Sequence, residues 1–180
     1  VLILGLATNV LSIWSRSSGQ LQTNMEARTI LDILSQDFES VVLRNNGSEW
    51  IRSQPVEPKL GDMPWESSWL MFFSPVMDPP DPDGDPNTPI RGDICAVSYR
   101  PDWQNPFKGG DDNPNIYALY RALEDPEDTF NTAFDAAANN TLAAYWTGGA
   151  SPDHLDVEWF LAGNVVRFQV SFTYQTTDPN

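Results

Sequence analysis

Apolar and polar positions fall into three patterns along the chain. Val1–Ile13 is an apolar run without a charged residue. From Ser17 to Arg44 there is no proline, and apolar residues recur at Leu21, Met25, Ile30, Leu31, Leu34, Phe38, Val41 and Val42. These steps of three and four place one stripe along a helix, with Glu26, Arg28, Asp32, Gln36, Asp37 and Glu39 largely on the other side. The two stretches predict a single long helix over 1–44. Its first part is greasy on all sides, and its second part needs a surface to cover its stripe. Arg44-Asn45-Asn46-Gly47 reads as its stop, a basic last turn followed by residues suited to left-handed backbone.

Beyond residue 47 the pattern changes to short runs bounded by proline and glycine. Glu49–Ser53 predicts a short strand, and Ser68–Phe73 predicts a buried strand ended by Pro75. Ile94–Arg100 predicts a strand stopped by Pro101, and Asn115–Leu123 a strand paired with it. Asp125-Pro126-Glu127-Asp128 predicts a helix entry, with a cap, a proline in the first turn and acids at the positive helix end. A short helix through 129–138, reaching as far as Trp146, follows from it. Val157–Leu161 fits either a strand or a connection. The clearest alternation is Asn164–Gln175, with Val166, Phe168, Val170, Phe172 and Tyr174 on one face. Strands do not alternate regularly with helices, which points away from a doubly wound parallel sheet. The expected class is α+β, a long N-terminal helix packed on an antiparallel β-sheet with long acidic loops.

The helix divides by polarity. Val1–Ile13 spans about 20 Å at the helical rise, against about 30 Å for the hydrocarbon core of a bilayer. The run therefore predicts the end of a membrane-spanning or filament-core helix over 1–14, with its start upstream of Val1. Residues 15–180 then form one globular domain that includes the amphipathic helix half, 15–44. Leu2, Ile3, Leu4, Leu6, Val10, Leu11 and Ile13 are the side chains that lipid or neighbouring helices would cover.

Charge narrows the partners. The formal net charge is −15, which excludes a phosphate-binding surface of the basic kind and hence a nucleic-acid partner. Acidity concentrates between Asp78 and Asp135, where 13 acids face four bases, a net of −9. One cysteine, Cys95, lies in the apolar stretch Ile94–Val97 and reads as a buried structural thiol.

The order of elements resembles the type IV pilin-like family, and within it the J-type minor pseudopilins of type II secretion and the W-type minor pilins. The helix segment 26–44, with an acid near its end and a closing Arg44, is similar to the family's helix exit. Gly92–Arg100 and Tyr117–Leu123 are similar to its paired central strands, and Phe160–Phe172 to its late strand. Members begin, after a cleaved leader, with a segment bearing glutamate at its fifth position. Here position five is Gly5, and the first glutamate is Glu26. The resemblance implies a structural subunit that sits in the bacterial inner membrane by its helix, projects its domain into the periplasm, and packs on other pilin or pseudopilin subunits in a filament.

The residues bear on three further chemistries. Asp81, Asp83, Asp85 and Asn87, with Asp93 to close the shell, supply the alternate oxygens and the glycine that a calcium loop uses, although the spacing is not that of an EF-hand. The alternative is a solvated acidic loop. Gly109–Asn113 is a second, poorer run of the same kind. Trp65, Trp69, Trp103 and Trp146 lie near loops and would form a carbohydrate platform if their rings were exposed, or core if buried. Hydrolysis would need His154, the single histidine, beside a nucleophile, or a pair of carboxylates. No nucleophile elbow, phosphate loop or His/Cys metal cluster occurs, and no catalysis is expected.

Overall fold

The computed structural model describes residues 2–56, 66–76, 94–107, 115–135, 142–147 and 159–173, with side chains from Ser17 onward. The chain divides into two compact units, Val1–Glu39 and Ser40–Asn180.

The first unit is helix α1, Leu2–Glu39, 38 residues without a break at Trp14. At the helical rise it is about 57 Å long. Absence of proline permits this length, and polar side chains add local bonds along it. Gln22 Nε2 donates to Glu26 Oε1 at 3.1 Å, while Thr23 Oγ1 and Thr29 Oγ1 donate to the carbonyls four residues back. Helix α1 ends five residues before the expected stop. Ser40 Oγ shares a hydrogen bond with Ser74 Oγ at 2.7 Å, and the Val42 N–H donates to the Phe73 carbonyl at 2.9 Å. Val41 and Val42, β-branched and poor in helices, are thus drawn toward a strand end instead. Gly47 keeps the left-handed backbone anticipated for it, at φ 85°, but uses it in a turn. Asn46 Oδ1 closes that turn by accepting from the Ser48 N–H and from Trp50 Nε1.

The second unit holds a five-stranded antiparallel meander in the order β1-β2-β3-β4-β5: β1 Ile51–Val56, β2 Ser67–Ser74, β3 Cys95–Gln104, β4 Ile116–Leu123 and β5 Phe160–Gly163. The α+β class and the antiparallel sheet are as the pattern predicts. Strand β3 runs through Pro101 rather than stopping there. The β2–β3 register ends at Leu70↔Tyr99, whereas β3–β4 pairing continues to Gln104↔Ile116. Beyond Tyr99 the β2–β3 ladder has ended, so the N–H that Pro101 lacks costs that ladder no bond. Pro55 sits on edge strand β1 for the same reason.

All of β2 is buried. Trp69, Met71 and Phe73 on one face join Ala96, Ala122, Trp50 and the helical residues Leu142, Tyr145 and Trp146 in one core cluster. Leu70 and Phe72 on the other face neighbour Val97 and Tyr99, also fully buried. The β4–β5 connection supplies the cover for the first face. It contains α2, Pro126–Asp128, which widens into a π-helical turn over Thr129–Ala133, and then α3, Leu142–Thr147.

The segment with the strongest strand pattern is not a strand. Asn164 takes a left-handed backbone, φ 59°, directly after β5, and residues 164–173 form no ladder. Their polar groups find other partners. Val165 N–H donates to the Tyr117 carbonyl, Ser68 N–H donates to the Phe168 carbonyl at 2.7 Å, and Val170 N–H donates to Ser68 Oγ at 3.0 Å. Phe168 stacks on Tyr99, 6.4 Å between centroids. Phe168 and Val170 are half-buried, but Val166 and Phe172 are exposed, so the left-handed residue breaks the single face that alternation predicts.

Candidate functional site

Two features stand out once the elements are placed: the exposed surface of α1, and the end of β4, where the buried carboxylates Glu124 and Asp125 lie beside the exposed Asp128.

On α1 every side chain from Ser17 to Thr29 is exposed, including Leu21 and Met25, at 63% and 71%. Leu31 is exposed as well. Ile30, Leu34 and Phe38 are half-buried, as are Val41 and Val42 beyond the helix end. Leu2, Ile3, Leu4, Leu6, Val10, Leu11 and Ile13 lie on the same helix, and their side chains are outside the described ones. No helix among the described residues is long and apolar enough to cross a membrane.

The second feature is built by strand parity. Ala118, Tyr120, Ala122 and Glu124 alternate along β4 and just past its end, which carries Glu124 to the core side. Glu124 is buried, as is Asp125 beside it. Asp125 performs the expected cap, its Oδ1 accepting from the Asp128 N–H at 2.9 Å. Thr129, fully buried, ties the corner together. Its Oγ1 accepts from the Ala96 N–H at 2.9 Å and donates to the Glu124 carbonyl at 3.4 Å, while the Glu124 N–H donates to the Ala96 carbonyl. From α3, the Tyr145 hydroxyl donates to Glu124 Oε2 in a short hydrogen bond.

The electrostatics follow from this packing. Burial, reinforced by Asp125 and Asp128, pushes the Glu124 carboxyl up to about 7 against the bonds from Tyr145 and the Asp125 N–H. Burial first, and Glu124 second, raise the Tyr145 hydroxyl well above its usual range. Burial also pushes the Cys95 thiol up to about 12, with Asp125 and Glu124 adding to it. Carboxylate oxygens of Glu124, Asp125 and Asp128 lie within 4.8 Å of one another, a spacing that a hard cation could bridge. Glu124 Oε2 and Asp125 Oδ1 already accept hydrogen bonds from within the fold, however, and those bonds favour the ionised carboxylates while burial opposes them at Glu124.

Sequence reasoning finds the Asp125 cap but misses Glu124 and Tyr145. The available signal is parity, an acid continuing the core-facing positions of an alternating strand. The other anticipated sites fare differently. Asp81, Asp83, Asp85, Asn87 and Asp93, the run Gly109–Asn113, His154 and Trp65 lie outside the described residues. Trp69 and Trp146 are buried at 3% and 1% exposure, which removes them from a carbohydrate platform. Trp103 is half-buried and packs on Tyr117, 4.4 Å between centroids. Cys95 is buried and free.

A shallow groove of about 540 Å³ is lined by Leu43, Arg44, Glu49, Trp50 and their neighbours. Its charged side chains are engaged within the fold. The Arg44 guanidinium lies 5.7 Å from the Trp50 ring centre, and Glu49 accepts from Arg52 Nη1 and from the Leu142 N–H. No reactive pair converges on it.

No protein family, curated protein or solved structure matches this chain.

Proposed function

We propose that the protein is a structural subunit of a pilin-like filament, a minor pilin or pseudopilin of a type IV pilus or a type II secretion apparatus. It assembles with other pilin or pseudopilin subunits through α1. The observation that carries this reading is the helix itself: 38 unbroken residues, opening on an uncharged apolar run, with Leu21 and Met25 bare further along. Apolar side chains on a helix of that length call for other helices or lipid. The pairing of β3 with β4 supports the resemblance carried by residues 94–100 and 117–123, while 40–44 leave the helix and 164–172 do not form the late strand that the resemblance implies.

In this reading the first turns of α1 lie in the inner membrane before assembly, and the domain faces the periplasm or the outside of a filament. Metal binding and catalysis are not part of the proposed role.

The test is photo-crosslinking from Leu6 and Met25 in the producing cell. The reading expects adducts to proteins that themselves carry a long apolar N-terminal helix, in the membrane or filament fraction. Recovery of the protein in the soluble fraction, with no adduct from either position, would overturn it.

A further inference from the structure

We propose that residues 166–172 are a self-complementary strand, through which two copies of this chain pair antiparallel about a two-fold axis at Gln169. The segment carries the clearest strand alternation in the sequence but forms no ladder. It is tied down on one side. Phe168 N–H donates to Ser67 Oγ at 3.4 Å, the Phe168 carbonyl accepts from the Ser68 N–H at 2.7 Å, and Val170 N–H donates to Ser68 Oγ at 3.0 Å. Bonds from residues two apart to the same end of β2 fit extended backbone, whose N–H and C=O groups point alternately to opposite sides. The backbone groups of Arg167, Gln169 and Ser171 then face the other way. Among the described residues nothing bonds to them, and all three residues are exposed.

A second copy laid antiparallel about Gln169 meets these groups in phase. Gln169 faces itself, and Arg167 faces Ser171 of the second copy. These are the hydrogen-bonded pairs of such a ladder, and they fall on the positions whose backbone is open. The side chains agree. Val166 and Phe172, 48% and 52% exposed, fall opposite each other, twice by symmetry, in pairs where side chains approach closely. Arg167, the one charge in the segment, is set against a hydroxyl rather than against itself. Charge also selects this stretch for contact between copies. The chain carries −15, so acidic surface repels a second copy, whereas 159–177 holds no acid and one Arg. So short a strand pair is a small contact by the standard of permanent dimers, which makes it weak and dependent on concentration.

The experiment is disulfide trapping on the full chain in detergent micelles, with Cys95 buried in the background. Gln169→Cys is expected to give a covalent dimer under mild oxidation, since the Cα atoms of a hydrogen-bonded pair stand about 5.5 Å apart, within disulfide reach. Arg167→Cys lies about 13 Å along the ladder from its own copy and is expected to crosslink more slowly, on the order of 10-fold. Charge variants made in Gln169→Cys then test the register. Ser171→Glu, facing Arg167 of the second copy, is expected to raise the yield, and Ser171→Arg to lower it. Chance collision gives the reverse order, because an added acid increases the repulsion between copies and an added base relieves it. Phe172→Asp disrupts both apolar pairs and is expected to cut the yield by on the order of 10-fold. The proposal is overturned if Gln169→Cys gives no covalent dimer, if positions 167 and 169 crosslink equally, or if the charge variants act in the reverse order. The traps read a strand register at Gln169 and not association through α1, so the filament reading stands or falls separately.

Discussion

Thr129 offers the sharpest test of how the corner is held. Its side chain is fully buried, and its Oγ1 is the acceptor described for the Ala96 N–H, itself fully buried on β3. Thr129→Val keeps the volume and shape but removes the oxygen. The Ala96 N–H is then left in the core without a partner, at a cost of about 1–3 kcal/mol for a buried amide donor. The weaker bond from Oγ1 to the Glu124 carbonyl is lost as well, although that carbonyl has a second lone pair to offer. Thr129→Ser provides the opposite control, keeping the oxygen and deleting one methyl group, which costs about 1 kcal/mol in a packed site. The assay is urea unfolding of the full chain followed by tryptophan fluorescence, where Trp69 and Trp146 report on the core. Valine is expected to lower the midpoint more than serine, with an unchanged slope. If serine proves the more damaging substitution, or valine costs less than about 0.5 kcal/mol, packing rather than the hydrogen bond holds the corner.

Other expectations follow from the same contacts. Trp146→Ala, at 1% exposure in the core cluster, should destabilise the domain by about 3–5 kcal/mol in the same urea assay. Cys95 should resist a thiol-reactive chromogen at pH 8 in the folded protein and react promptly in denaturant, because burial holds the thiol near 12. For Glu124 the folded value of about 7 stands above the ordinary 4.5, so its contribution is complete below 4.5 and lost as pH rises through 7. The difference in melting temperature between Glu124→Gln and wild type should therefore grow in favour of the variant from pH 5 to pH 8. Gly47→Ala, at φ 85°, should cost about 1–2 kcal/mol from backbone strain, with open space around the added methyl.

Much of the architecture is legible in one dimension, and the failures share a cause. Strands β2, β3 and β4 are visible because their side chains face a core, and a long helix is visible from spacing and the absence of proline. Spacing alone carries the helix too far, because propensity holds no information about Ser74 and Phe73, whose partners draw residues 40–42 out of it. Pro101 looks like a strand end because the sequence does not say that β2 stops first. Asn164–Gln175 looks like a strand because its alternation is real. A single left-handed residue turns it off the ladder, and Ser67 and Ser68 then accept its amide groups. Of the carboxylate corner, only the Asp125 cap is visible locally. Tyr145 lies 21 residues from Glu124, and no local pattern joins them.

These departures point to one structural habit of the second unit. At several places in it a side chain, rather than a neighbouring strand, supplies the partner that a polar group needs. Ser68 Oγ accepts from Val170, Thr129 Oγ1 from Ala96, Glu49 from Leu142, and Ser40 and Ser74 bond to each other. A backbone donor satisfied this way is not available to template a foreign strand, and Pro55 removes another from edge strand β1. An isolated sheet of this size would otherwise present two long edges. At β1 it is Pro55 that blunts such an edge, since a strand added there would meet a missing donor within the strand.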